Sequence, residues 1–270
     1  MLPHSFMRSA LRTAHCGPLG GVIVPKQQVR LPSAVDFSTA GSNAGSQQNA
    51  VEDALSPGNV LSAASREACL RRLSRMSSLR PPSAPPPGAA KPKEAAILVS
   101  LCLVGDEVCL LYTLRSPHMS SHRGQVSYPG GMKDDEDADH EATALRETEE
   151  ELGISRDQVE IWGRCPPMES ANRVTCQPII GYLGSVDVNR LEYNPKEVGD
   201  VFTIPLRYLC DENNFRYTQF RTGKGYVIPV FLGGKYKVWG LTAGVTHIFL
   251  SALLPTIYKN KVHYIKPIKF

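Results

Sequence analysis

Two periods of apolar and polar residues alternate along this chain, and each change of period marks an element. Ala95–Val104 is an almost unbroken apolar run of strand length, the pattern of a strand covered on both faces. It is too short to cross a bilayer. Glu107–Arg115 reads as its neighbour, joined by a turn at Gly105-Asp106. Val159–Arg164 and Thr175–Leu183 read as further strands, Phe215–Phe220 and Tyr226–Phe231 as a hairpin around Gly223-Lys224-Gly225, and Val238–Leu241 as a short strand. The apolar stretch from Glu197 to Leu209 reads as a short helix followed by a strand or turn at Pro205. Helical spacing carries Val245, Phe249 and Leu253 through Leu241–Leu254, with Pro255 as the stop. An earlier helix is expected from about Ser56 to Ser77, with Val60, Ala64, Ala68 and Leu73 as its apolar positions and Arg71, Arg72 and Arg75 as a basic cluster. Strands interleaved with helices predict an α/β domain with a mixed β-sheet between helices.

The flanks differ in composition. Residues 1–35 hold no Asp or Glu; Arg8, Arg12, Lys26 and Arg30 are spread among Ser and Thr, the make-up of a mitochondrial transit peptide. Residues 36–60 are rich in Ser, Ala, Asn and Gly and read as disordered, and Arg80–Lys93 reads as a Pro-rich linker. The expected organisation is a transit peptide at 1–35, a segment of disorder, short helix and linker at 36–93, the α/β domain at 94–256 and a basic tail at 257–270. A net charge of +4 is too mild to argue for nucleic acid, and no run is long and apolar enough to predict a membrane span. Seven scattered cysteines without a C-x-x-C pair argue against a disulfide framework or zinc site and fit a reducing interior, with Cys102 and Cys109 as core residues.

Chemistry concentrates in Gly130–Ile154, GGMKDDEDADHEATALRETEEELGI. Read as a helix, its second half puts Glu147, Glu150 and Glu151 at i, i+3 and i+4, on one face. Ala142, Leu145, Thr148 and Leu152 form the face expected to pack on a core, and Gly153 is placed to end the helix in a left-handed conformation. Carboxylates crowded in this way repel unless a cation sits among them, and hard oxygen donors suit Mg²⁺ or Mn²⁺, which can in turn clamp a phosphate.

These residues resemble the Nudix box, Gly-x5-Glu-x7-Arg-Glu-U-x-Glu-Glu-x-Gly-U with U apolar. Arg146, Glu147, Glu150, Glu151, Gly153 and Ile154 match its second half. The loop has one residue more between Gly131 and Arg146, Asp137 stands about where the first Glu belongs, and Thr148 replaces an apolar residue. Upstream, Leu110-Leu111-Tyr112-Thr113-Leu114-Arg115-Ser116 and His122-Arg123-Gly124-Gln125-Val126-Ser127-Tyr128-Pro129-Gly130-Gly131 are similar to the signature of the coenzyme A diphosphatases of this superfamily. Ser120 stands in place of an Arg of that signature and Tyr128 in place of a Phe.

The resemblance implies an α/β/α sandwich and a metal-dependent hydrolase acting on the diphosphate of coenzyme A or acyl-CoA, giving 3′,5′-ADP and a 4′-phosphopantetheine. Glu147, Glu150 and Glu151 are the expected metal ligands, and Arg146 is expected to neutralise and orient Glu147. Glu150, Glu197 and Arg146 form the expected catalytic set, with Glu197 a further ligand or the base that activates water. Arg115, His122, Arg123, Gly130 and Gly131 are the candidates for binding substrate, since Arg donates in a fork to phosphate oxygens and glycine lets backbone come close. Trp239 is read as a core aromatic in preference to a stacking surface for adenine, and His140 and His247 as structural.

Overall fold

The computed structural model describes residues 42–77, 79, 82, 92–119, 122–170, 173–220 and 226–262. The expected transit peptide, most of the Pro-rich linker, Ser120 and the end of the basic tail lie outside the described residues.

β1 (Glu94–Val104) and β2 (Glu107–Arg115) pair antiparallel, with Cys102 opposite Cys109. β1 also runs parallel to β7 (Thr175–Ser185), and β7 pairs antiparallel with β5 (Glu160–Arg164). With β3 (Val126–Ser127) beyond β2, the main sheet has the order β3-β2-β1-β7-β5. Three further strands attach to it: β4 (Gly130–Met132) on β1, β6 (Met168–Glu169) on β7 and β8 (Val198–Pro205) on β2.

The sheet is mixed and both faces are covered, which explains the unbroken apolar run of β1. Along it, Ala96, Leu98 and Cys102 enter one core while Val99 and Leu101 enter the other. The first core is closed by α4 (His140–Leu152) through Ala144 and Leu152. The second is closed by α6 (Gly240–Leu253) through Ala243, Val245, Ile248 and Phe249. This is the expected α/β/α sandwich.

Several expected elements fall differently. The helix read from Ser56 to Ser77 is two pieces, α2 (Pro57–Val60) and α3 (Ala63–Leu73), because Ser62 stops the first and caps the second by accepting from Ser65 N. The segment read as disordered contains α1 (Ser42–Leu55). Beyond Glu197 the order is reversed: β8 comes first and α5 (Leu206–Cys210) follows it, since β8 takes its register from β2. β9 (Phe215–Phe220) and β10 (Tyr226–Phe231) pair antiparallel as expected, while the turn expected at Gly223-Lys224-Gly225 lies outside the described residues; the strand expected at Val238–Leu241 shrinks to a single bridge between Phe231 and Val238, and α6 starts at Gly240.

The N-terminal helices belong to the second core. Val60, Cys69 and Leu73 are buried with α6 residues in one cluster. Arg66 donates to Ile161 O at 2.8 Å and Arg72 to Ala252 O at 2.8 Å, fastening α3 to β5 and α6. At the other end of the chain, Tyr258 packs against Phe215, Phe231 and His247.

Candidate active site

The site grows from the two ends of α4. At its start, Asp139 accepts from Ala142 N at 2.8 Å. At its end, Gly153 adopts φ +67 and donates to Glu149 O, the left-handed stop expected from the sequence. The helix is rotated from the expected phase: Thr143, Ala144, Thr148, Glu151 and Leu152 are buried, whereas Ala142 and Leu145 are only partly so. Thr148 returns its hydroxyl to Ala144 O at 2.7 Å, so a polar residue sits within the apolar face. The rotation carries Glu151 inward to 3% exposure.

Gly130 and Gly131 let β4 slide between β1 and α4. A side chain at Gly130, which has φ +148, would collide with the Ala96 carbonyl and Ile97, and one at Gly131 would occupy the place of the Glu147 carboxylate. The carboxylate of Glu147 therefore lies directly on the bare backbone of β4.

Arg146 holds this arrangement with every N–H it has. Its Nε and one Nη2 hydrogen go to the two oxygens of Asp137 at 3.0 Å each, the second Nη2 hydrogen to Met132 O at 3.1 Å, and Nη1 to Glu147 at 3.0 Å and Glu150 at 3.2 Å. Asp137 is buried and also accepts from Asp134 N and the Thr143 hydroxyl. The Arg146 hydrogen bonds hold its carboxyl well below the usual carboxylate range, outweighing its burial. In the sequence Asp137 is marked only by standing about where the pattern has its first Glu, and nothing there signals its pairing with Arg146.

Glu147, Glu151 and Glu197 converge, each offering an oxygen within 4.8 Å of the others. Glu197 comes from the turn before β8, where Asn194 Nδ2 donates to its Oε1 at 3.3 Å and its carbonyl accepts from Ser116 N at 2.8 Å. Glu150 stands outside this trio, with its side chain 53% exposed and one oxygen on Arg146. Burial above all, opposed by Arg115 and aided by the charges of Glu147 and Glu197, pushes the Glu151 carboxyl up to about 8. Burial also raises Glu147, against the pull of Arg146. Glu151 Oε2 is buried without a hydrogen-bond partner. An orphaned carboxylate oxygen among two other carboxylates fits a divalent cation bound by oxygen donors.

Among the substrate-binding candidates, Arg115 lies beside Glu151, and its Nε is buried without a partner. His122 and Arg123 are exposed on the loop before β3. His122 has φ +57, and its Nδ1 meets Gln125 Oε1 at 3.0 Å. His247 is half-buried, with its Nδ1 on the Tyr258 hydroxyl at 2.8 Å, in keeping with a structural role, and desolvation lowers its imidazole to about 4. His140 lies 3.5 Å from Glu94, away from the three converging carboxylates. Trp239 departs from the expectation of a core aromatic and is exposed. Its neighbour Val238 fills the core position instead.

Fold and site together define a hydrolase of the Nudix type. The NUDIX domain model matches residues 92–217. The chain is 42% identical over 173 residues to the mouse (Mus musculus) mitochondrial coenzyme A diphosphatase NUDT8, covering 63% of this chain and 82% of that one. It is 42% identical over 176 residues to the human (Homo sapiens) protein of the same name, covering 64% and 75%. It is 38% identical over 166 residues to Nudix hydrolase 15, mitochondrial, of Arabidopsis thaliana, covering 59% and 58%. The chain belongs to the Nudix family.

Proposed function

We propose that this protein hydrolyses the diphosphate bond of coenzyme A and its acyl thioesters, releasing 3′,5′-ADP and the matching 4′-phosphopantetheine, and that it does so in mitochondria. The observation that carries the metal-dependent chemistry is the convergence of Glu147, Glu151 and Glu197 around a buried, unpartnered Glu151 oxygen. The coenzyme A substrate is supported by 42% identity to the mammalian coenzyme A diphosphatases and by the Arg115-to-Gly131 signature. The mitochondrial address is supported by the names of these relatives and by the acid-free residues 1–35.

Glu147 and Glu151 are assigned to hold Mg²⁺ or Mn²⁺, with Glu150 as the outer carboxylate of the same helix. A bound divalent ion neutralises the diphosphate and lowers the pKa of water. Glu197, steadied by Asn194, is assigned to take the proton of the attacking water while the bridging P–O bond breaks and a phosphate leaves. Arg146, locked on Asp137, keeps Glu147 in place. Arg115, His122 and Arg123 are assigned to the phosphates, while Gly130 and Gly131, expected to bind substrate, instead make room for β1 and for the Glu147 carboxylate.

The test is turnover of coenzyme A by the purified full chain with Mn²⁺, products separated by chromatography, beside Glu151→Gln. Release of 3′,5′-ADP that vanishes in the variant is expected. Intact coenzyme A, with another nucleoside diphosphate derivative such as NADH consumed in its place, would overturn the substrate assignment.

A further inference from the structure

The loop leading into α6 alternates sharply. Lys237 is exposed, Val238 is fully buried against the hairpin, and Trp239 returns to the surface at 36% exposure. The Lys237 ammonium lies 5.5 Å from the centre of the indole. Among the described residues, no carboxylate pairs with Lys237. The next residue, Gly240, takes φ +69, and apart from its chain neighbours and its own helix nothing lies within 4 Å of where its side chain would begin. Leu232, next to the bridged Phe231, adds exposed apolar surface at 37%.

This surface is tied to the catalytic strands. Thr242, in the first turn of α6, donates its hydroxyl to Val126 O at 3.0 Å. Val126 pairs with Leu114, and the next residue is Arg115, whose charge acts on Glu151. A rigid indole carrying an unpaired cation is thus built onto the strand that leads to the converging carboxylates. An aromatic face takes a nucleobase by stacking, and a cation at its edge takes a phosphate.

We propose that Trp239 is the stacking platform for the adenine of the substrate's nucleotide half, and that Lys237 meets the phosphate on its ribose. The inference rests on the coenzyme A reading for its substrate and adds the residues that select the nucleotide end.

The chain has two tryptophans, and the other, Trp162, is 5% exposed in the core. Both indoles emit, but contact quenching by a bound nucleotide reaches only the exposed Trp239. Titration with 3′,5′-ADP is expected to quench the wild type and to leave Trp239→Phe, whose remaining tryptophan is buried, unquenched. Trp239→Ala is expected to weaken 3′,5′-ADP binding and to raise KM for coenzyme A about tenfold, the usual loss for one base–aromatic stack. Trp239→Phe, which keeps a ring, recovers most of that loss. Lys237→Ala is expected to raise KM more for coenzyme A than for dephospho-coenzyme A. Unchanged 3′,5′-ADP affinity in Trp239→Ala, measured by calorimetry, overturns the platform even where coenzyme A is hydrolysed. Quenching by 3′,5′-ADP that Trp239→Phe abolishes supports it even where coenzyme A is not the substrate turned over.

Discussion

Glu151 shows how much one residue can carry. Its carboxyl is buried beside two others, so in the metal-free protein it keeps a proton that the unfolded chain gives up. Between the ordinary value of 4.5 and about 8 the folded state therefore binds more protons than the unfolded state, and stability falls as pH rises through that window. Thermal melts in chelator are expected to move down from about pH 5 to about pH 8. Mn²⁺ should remove most of the fall by replacing the proton, and Glu151→Gln should flatten the chelated curve. A chelated wild type whose melting point rose over the same range would contradict the burial argument. Asp137 has the opposite sign. It is a buried anion whose charge is matched by Arg146, and its removal leaves that guanidinium half-satisfied. Asp137→Ala is expected to cost about 3 kcal/mol in urea unfolding, the usual cost of breaking a buried ion pair from one side. Turnover should fall with it, because Glu147 loses its steadied partner. The residues of the Glu-rich helix were legible in the sequence because their spacing is chemical. The burial of Glu151 was not, since it depends on a rotation that only packing sets.

β4 and α4 meet at two adjacent glycines, and the two should fail differently when substituted. At Gly130 a methyl group meets the fixed backbone of β1, which cannot yield without moving the sheet. At Gly131 it meets only the end of the Glu147 side chain, which can turn aside. Gly130→Ala is therefore expected to lower stability by about 2 kcal/mol or more, within the range of overpacking a core. Gly131→Ala should keep a near-normal melting point while losing Mn²⁺ affinity and most of its turnover. Equal melting points for the two variants would show that β4 is free to shift. Sequence patterning placed the elements around this junction well wherever a face is continuous, as in β1, β2 and α6. It failed at Glu197–Leu209, where a strand precedes a helix, because β8 is set by pairing with β2 rather than by its own periodicity. It failed also at Trp239, where a one-residue alternation next to a single bridge decides which side chain is buried.

At the scale of the whole molecule, the packed core reaches N-terminal of the boundary that composition suggests. The Pro-rich stretch before Lys93 marks a change in sequence, and a domain starting at residue 94 is the natural reading. Yet α3 lies on α6 and β5, burying Cys69 and Leu73 completely or nearly so, while Val60 of α2 joins the same core. The short apolar face of this segment gave no sign of a partner, because a stripe of a few small residues is also what a marginal free helix shows. Each fully buried aliphatic side chain is worth roughly 1.5–3 kcal/mol, so loss of this segment removes several kcal/mol from a domain whose total stability is of the order of 5–15 kcal/mol. It also uncovers the α6 face that α3 protects and leaves Ala252 O without its Arg72 donor. A chain beginning at residue 42, which keeps α2 and α3 on the core, is therefore expected to unfold in urea as one cooperative unit. One beginning at residue 94 should unfold at a markedly lower midpoint or aggregate during size-exclusion chromatography. Leu73→Ala in the full chain gives the graded version, an expected loss of about 2–4 kcal/mol with the carboxylate cluster untouched. Matching midpoints for the chains starting at 42 and 94 would mean that α3 rests on the core without supporting it, and the domain would then begin where the composition places it.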